Sequence, residues 1–467
     1  MASIYIETFG CQMNEADSQY IADRAASAGY VMADEAEDAN VVIINTCTVR
    51  DNAERRAYGR IGHLKMLKDA DPALKLVVTG CLAEQDRDSM QRRAPHVDAV
   101  FGTKELRQLG DTIARWREEF ADSVLSEERA LIMPLGGAPD CITDAFSHLR
   151  GFVTVQRGCS YYCTFCIVPH VRGRFDHRPM SEVLSEARQR VDEGAREVML
   201  VGQTVNAYRD PVDNDDFTEL CRRAARIPGL ERLTFISPHP KDFSEKTLAG
   251  LAQIPQLNPR MHLPLQSGSD PILRRMNRKY TLAQFQEKVA WIHQYLPEAA
   301  ITTDVIVGFP GETEEDFRAT LDYVASGIFA NAYMFIYSPR RGTPAAHWEQ
   351  VPAAVVSERF ERLAQAQNAV TRAYHDRKIG TTVRALIQGI SKKDRSKLAA
   401  RTLDNVTVIA PLPSGYDEQL YAREPWLDVD VDTAYVWGCT GTVVRRAERF
   451  TGAGISLERP LVSLLTT

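Results

Sequence analysis

Cysteine is scarce, with nine in 467 residues. That is too few for the disulfide scaffold of a small secreted domain. No apolar stretch approaches the roughly 18–20 residues that span a bilayer. The longest are runs such as Val41-Val42-Ile43-Ile44. The opening Met-Ala-Ser-Ile-Tyr-Ile-Glu-Thr-Phe-Gly lacks the basic and apolar succession of a secretory signal. A cytoplasmic chain with no membrane partner is therefore expected. Positive charge is also short: 56 Lys and Arg stand against 62 Asp and Glu, a net charge of −6. This excludes a uniformly basic nucleic-acid coat. Local basic patches remain open, because their fields act over a Debye length of about 8–10 Å. No phosphate loop of the nucleotide-hydrolase kind occurs, so ATP use is not indicated.

What is present suits globular domains with real cores: 44% hydrophobic and 25% charged residues. At about 100–200 residues per domain, the length predicts roughly three. Up to about residue 110, short apolar runs (Ile4–Phe9, Val41–Asn45, Leu76–Thr79, Ala99–Phe101) alternate with helical stretches, which predicts an open parallel α/β sheet. We place this domain at 1–118. A linker at 119–145 follows, marked by Gly136-Gly137-Ala138-Pro139. Six strand–helix units follow: Phe152–Gln156, Val198–Val201, Leu233–Ile236, Met261–Leu265, Thr302–Val307 and Ala332–Tyr337. They predict a partial (βα)6 barrel over 146–377. Beyond Gly380, strands at Val383–Gln388, Asn405–Ile409 and Thr440–Val444 predict a small all-β barrel at 378–450.

Six cysteines fall into two sets of three. Cys159, Cys163 and Cys166 occupy one loop after the first barrel strand, with three and two residues between them. Such a loop can wrap three thiolates around one iron–sulfur cluster. A cubane has four irons, so one would stay open for a substrate or cofactor. The alternative is a zinc site closed by His170. Cys11, Cys47 and Cys81 share a context, each following an apolar strand and preceding a helix, at intervals of 36 and 34 residues. One strand–helix–strand crossover per interval brings all three to one edge of the sheet, where open α/β sheets bind ligands. Three buried free cysteines are the alternative, but core packing gives no reason for the repeated placement. Cys221 falls in a helical pattern and reads as core; Cys141 and Cys439 receive no role.

The three-cysteine loop, with an aromatic before its last cysteine, resembles the radical S-adenosylmethionine superfamily. Two cysteine triads and a following β-barrel resemble its methylthiotransferase family. Gly10-Cys11-Gln12-Met13-Asn14, Asn45-Thr46-Cys47-Thr48-Val49-Arg50, Gly202-Gln203-Thr204-Val205-Asn206, Ser237-Pro238-His239-Pro240, Leu263-Pro264-Leu265-Gln266-Ser267-Gly268 and Gly308-Phe309-Pro310-Gly311-Glu312-Thr313 carry that likeness. The C-terminal part resembles the RNA-binding TRAM module through Ser391-Lys392-Lys393 and Arg401-Thr402, although 404–432 departs as an acidic inset. Gln-Met-Asn after the first cysteine and Ser-Pro-His-Pro are similar to the MiaB branch. That branch adds 2-methylthio to N6-isopentenyladenosine next to the anticodon of tRNA. Sister branches act on threonylcarbamoyl-adenosine or on a ribosomal-protein aspartate, and usually show Lys-Val-Asn or Pro-Lys-Asn there. An iron–sulfur electron carrier without catalysis is the alternative from another class.

The resemblance implies two [4Fe-4S] clusters, held by Cys11, Cys47 and Cys81 and by Cys159, Cys163 and Cys166, together with S-adenosyl-L-methionine. Phe165 is expected near its adenine, and the strand-end residues Gln203, Ser237, Gln266 and Ser267 are expected to hold it. Lys392, Lys393, Arg395, Lys397 and Arg401 are expected to meet phosphates of the tRNA anticodon stem-loop. Two further basic groups, Arg172, Arg174 and Arg178 and Arg274, Arg275, Arg278 and Lys279, are expected to do the same. Tyr161 and Tyr162 are candidates for stacking on an extruded base. An electron donor and a sulfur donor are expected partners, and a monomer is expected.

Overall fold

In a computed structural model, residues 2–48, 51–122, 146–391 and 393–447 are described. Cys141, Lys392, most of the 119–145 linker, and Val49 and Arg50 of the second cysteine motif lie outside them. The chain divides into two compact units. One comprises Met1–Thr143 with Ile167–Arg174, the other Asp144–Cys166 with Phe175–Thr467. The eight residues after Cys166 thus belong with the first unit, although they fall inside the stretch expected for the central domain.

The first unit is a parallel sheet of β1 (Ser3–Thr8), β2 (Val31–Met32), β3 (Val41–Thr46), β4 (Lys75–Gly80) and β5 (Ala99–Phe101), in the order β2-β1-β3-β4-β5. Helices α1 (Gln12–Ser27), α2 (Asp51–Ala70), α3 (Cys81–Arg93) and α4 (Leu106–Asp122) make the crossovers. β3 reads Val-Val-Ile-Ile-Asn-Thr and is buried at every residue. Continuous apolar character is what a central strand covered on both faces requires. The detached segment 167–174 contains the short helix α5 (Val168–Arg172), and Ile167 and Val171 pack against Cys81.

The second unit begins with β6 (Arg150–Thr154) and a two-residue pair, β7 (Gln156–Arg157) with β8 (Asp176–His177). β9 (Glu197–Val201), β10 (Arg232–Phe235), β11 (Arg260–His262), β12 (Ala300–Val307) and β13 (Asn331–Ile336) complete six parallel barrel strands. They pair as β10-β9-β6 and β11-β12-β13, and a parallel bridge from Leu233 to Leu257 carries β10 towards β11. This is the expected partial barrel, with β6 and β13 at its edges. Helices α6 (Met180–Asp192), α7 (Phe217–Ala224), α8 (Glu245–Leu251), α9 (Asp270–Arg275), α10 (Leu282–Tyr295), α11 (Glu314–Ala325) and α12 (Ala353–Asp376) follow the strands or close the unit. Capping boxes at Thr281/Gln284 and Thr313/Asp316 fix where α10 and α11 begin.

The C-terminal barrel is closed and five-stranded: β14 (Thr382–Ile390), β15 (Lys397–Thr402), β16 (Thr407–Pro411), β17 (Trp426–Tyr435) and β18 (Gly438–Arg446). The acidic segment 404–432 is no inset: it contains β16, the short helix α13 (Glu418–Arg423) and most of β17. Its charges are used locally. Asp404 accepts from Tyr374 and pairs with Lys378, Asp417 caps α13, and Asp428 binds Arg384 and Arg445. Among the described residues, no helix is long and apolar enough to cross a membrane.

Candidate functional site

Each unit carries one three-cysteine site. In the first, the register Thr8↔Asn45 and Thr46↔Gly80 sets the ends of β1, β3 and β4 side by side. Cys47 and Cys81 are the residues just beyond β3 and β4, and Cys11 lies three beyond β1 at the start of α1. Cys47 and Cys81 are buried and Cys11 is half-buried. Two glycines make the approach possible. Gly10 (φ +141°) would place a Cβ 2.7 Å from Cys47 Cβ, and Gly80 (φ +100°) would place one 2.2 Å from the Thr46 carbonyl oxygen. Buried Asn14 ties the ends together: its amide nitrogen donates to Asn45 Oδ1 and the Thr46 carbonyl, while its oxygen lies 3.5 Å from Cys11 Sγ.

Arg172 completes this site from α5. Its Nε donates to Cys81 Sγ at 3.2 Å and its Nη2 to Asp17 at 2.9 Å. Both charged side chains are almost wholly buried. Arg172 Nη1 is buried with no hydrogen-bond partner among the described residues. Burial pushes the Cys81 thiol up, opposed by the Arg172 guanidinium. Burial also works against the charge on Arg172, but Asp17 overrides it and holds the cation.

In the second unit, Cys159, Cys163 and Cys166 lie in the loop that follows β7. Cys159 Sγ is 3.5 Å from Thr204 Oγ1, and Arg278 Nη1 donates to Cys163 Sγ at 3.3 Å. Burial raises the Cys159 thiol, opposed by the Tyr161 backbone amide and Thr204. The segment after α9 staples the loop: Thr164 N donates to the Met276 carbonyl, and Asn277 Nδ2 to the carbonyls of Tyr161 and Tyr162. Of six described non-glycine residues with positive φ, Tyr162 lies on this loop, Asn277 on the segment stapled to it, and Ser237 and Gln266 just beyond barrel strands. Such strained backbone clusters at functional sites.

The remaining candidates fall out unevenly. Gln203 has both side-chain polar atoms buried and unpartnered among the described residues. Ser237 is half-buried beside buried His239. Gln266 is buried, with its backbone bonded to Asp304 and Ile306. Phe165 packs edge-on to Phe309 at 6.3 Å. Ser267 is fully buried, and its hydroxyl is shared with Thr320 and the Ser269 amide. The Tyr161 hydroxyl donates to Asp242, and its ring lies 4.5 Å from that of His239. Tyr162 remains exposed.

Lys393 and Arg395 are exposed in the β14–β15 turn, and Lys397 pairs with Asp394 at 3.0 Å. Arg401 is half-buried, and burial with the charges of Arg150, Arg260 and Arg232 works against its cation. The two further basic groups are largely structural. Arg172 and Arg278 are engaged as above, Arg178 binds the Thr154 carbonyl and Glu186, and Arg275 binds the Pro310 carbonyl and lies over Trp348. His239 belongs to the Ser237-Pro238-His239-Pro240 motif, which by itself assigns the imidazole no role. The Lys241 amide donates to its Nδ1, so its proton sits on Nε2, which is buried without a partner among the described residues. Burial, with Arg278 and Lys241 nearby, keeps this ring neutral.

No group of three His, Cys, Asp or Glu side chains among the described residues is arranged to hold a single metal ion. His170, the alternative zinc ligand, is exposed.

Residues 3–102 match uncharacterized protein family UPF0004, and 153–324 match the radical SAM superfamily. A Parafrankia protein named tRNA-2-methylthio-N(6)-dimethylallyladenosine synthase is 45% identical over 86% of this chain and 82% of its own. One of the same name from Bifidobacterium adolescentis is 43% identical over 88% and 86%. The chain belongs to this synthase family. As a radical S-adenosylmethionine enzyme it uses a [4Fe-4S] cluster and S-adenosylmethionine. The second unit has groups that could hold both: three thiols on one loop, and the orphaned polar atoms of Gln203 and His239. The fold is also that of the radical S-adenosylmethionine methyltransferase TsrM from Kitasatospora setae, with a TM-score of 0.52 at 15% identity, covering 74% of this chain and 77% of the other.

Proposed function

We propose that this enzyme transfers a methylthio group to carbon 2 of N6-isopentenyladenosine beside the anticodon of tRNA, using two [4Fe-4S] clusters. The observation that supports it most is the pair of three-thiol sites, since the reaction needs one open iron for S-adenosylmethionine and another for sulfur. The C2 hydrogen is neither acidic nor hydridic, so no side-chain base can remove it. The bound clusters and S-adenosylmethionine supply a carbon radical and an activated sulfur.

The chain's own residues ligate, orient and shield. Cys159, Cys163 and Cys166 would hold the first cluster, with Arg278 donating to the Cys163 sulfur. Gln203 and the Nε2–H of His239 would meet polar groups of S-adenosylmethionine, with Phe165 against its adenine. Cys11, Cys47 and Cys81 would hold the second cluster, and Arg172 would present its Nη1 to sulfur there. Lys392, Lys393, Arg395 and Lys397 would meet tRNA phosphates through a TRAM-like barrel. The electron and sulfur donors are external, and a cytoplasmic monomer is the expected form. The test is nucleoside mass spectrometry of tRNA from cells lacking this protein. The 2-methylthio derivative should vanish while N6-isopentenyladenosine accumulates, and unchanged nucleosides would reject the reading.

A further inference from the structure

The amino-terminal ends of the barrel strands carry an unusual charge arrangement. Arg150, Glu197 and Arg232 open β6, β9 and β10 as direct cross-strand neighbours, and Arg260 opens β11. Arg401, on β15 of the small barrel, pairs with Leu386, two residues before the Gln388 that Arg150 reaches, and the charges of Arg150, Arg260 and Arg232 bear on it. The small barrel is fastened here: Arg150 Nη2 donates to Gln388 Oε1 at 2.6 Å, and Trp426 Nε1 donates to Glu231.

Arg150 and Arg232 therefore share one buried carboxylate, and Arg260 and Arg401 add like charge beside them. Glu197 lies 3.1 Å from Arg150 and 3.6 Å from Arg232, and cannot neutralise all four. Arg232 is 2% exposed, and its Nη1 has no hydrogen-bond partner among the described residues. No described carboxylate or hydrogen-bond acceptor engages Arg401. Arg260 Nη2 donates to Tyr333, which is 41% exposed, so solvent reaches the cluster. The nearby acids are committed elsewhere: Glu231 lies by Arg196 and Trp426, and Asp404 by Lys378 and Tyr374. Like charges gathered in a half-buried setting repel strongly unless an anion joins them. Planar guanidinium forks match phosphate oxygens two at a time, and several together favour an anion with at least three acceptor oxygens.

We propose that Arg150, Arg232, Arg260 and Arg401 form a binding site for a phosphate group, lying between the barrel's amino-terminal rim and the small barrel. An RNA backbone phosphate and a free phosphate share this chemistry. The choice of RNA as the source rests on the proposed function; the site itself does not.

The experiment uses the full-length, cluster-loaded protein and inorganic phosphate. Thermal unfolding is followed in phosphate and in chloride at equal ionic strength. Phosphate should raise the wild-type Tm in a saturable way. Arg401→Gln and Arg260→Gln should each lose at least half of that rise, and Arg401→Lys should keep more of it than Arg401→Gln. Because wild type alone is informative, a variant that folds poorly does not blunt the test. A wild-type Tm indifferent to the choice of anion, or Arg401→Gln responding like wild type, overturns the proposal.

A labelled anticodon stem-loop then separates the sources. If phosphate competes with it, and the variants lower the slope of log affinity against log salt by about 0.7–0.9 per lost contact, the RNA backbone is the ligand. If phosphate stabilises the protein while stem-loop binding is untouched, the site takes free phosphate. A protein that binds phosphate here yet never thiomethylates tRNA would end the proposed function and leave this site standing.

Discussion

Arg172 shows how much depends on a single side chain. Its guanidinium joins a buried carboxylate, Asp17, to a buried thiol, Cys81. Removing one partner of a buried ion pair costs about 3–5 kcal/mol. Arg172→Gln should therefore lower stability in urea by about that amount, and the Asp17→Asn/Arg172→Gln pair should recover part of it. In a chain lacking Cys159, Cys163 and Cys166, Arg172→Gln should also lower the iron retained, and Arg172→Lys should lower it less. Unchanged iron and stability would remove Arg172 from the site. In sequence, Arg172 reads as one member of a basic run, because nothing local shows that α5 folds with the first unit. The six cysteines stood out because three crowd one loop and three recur at equivalent strand ends. Arg278, Asn14 and Asn45 stand in recognisable segments, but their partners lie far along the chain.

Glu197 gives a pH prediction at the same scale. Burial pushes its carboxyl up, but Arg232 and Arg150 outweigh burial and hold it down to about 2, against an ordinary 4.5. A depressed carboxyl contributes stability that is present above its unfolded value and lost as pH falls through its folded value. Stability should therefore drop between about pH 4.5 and 2, by roughly 3 kcal/mol from this group. Acid-unfolding curves of Glu197→Gln should be flatter across that window. A curve of unchanged steepness would show that the ion pair contributes little.

At the scale of elements, the turn from β4 to α3 is decisive. Gly80 has φ +100° and stands 2.2 Å, by its would-be Cβ, from the Thr46 carbonyl oxygen. Gly80→Ala should push β3 and β4 apart where Cys47 and Cys81 emerge. We expect a loss of at least 2 kcal/mol, in line with strained-backbone and overpacking costs, and loss of iron from the first unit's thiols. Iron at wild-type level in the folded variant would mean that the close approach is not needed.

The parallel strands were readable because buried strands carry continuous apolar runs, as Val41–Ile44 of β3 do. β15 and β17 were missed. In β17, Leu427-Asp428-Val429-Asp430-Val431-Asp432 alternates with a period of two, but its acids drew attention to charge. Closure of the barrel explains them: the valines turn inward, Asp430 and Asp432 face solvent, and buried Asp428 is held by two arginines.

At the scale of the whole molecule, the sequence carried the succession of α/β sheet, partial barrel and β-barrel. It did not carry the assignment of 167–174, which leaves the barrel's chain to join the first unit. That exchange depends on tertiary packing of Ile167 and Val171 against Cys81, which no local pattern encodes. The central claim is a division of labour between the two sets of cysteines. One measurement tests it most directly: mass spectrometry of a reduced, anaerobic reaction containing S-adenosylmethionine, a prenylated anticodon stem-loop and the Cys11→Ala/Cys47→Ala/Cys81→Ala variant. The account predicts 5′-deoxyadenosine without any 2-methylthio product. A methylthiolated stem-loop from that variant would contradict it.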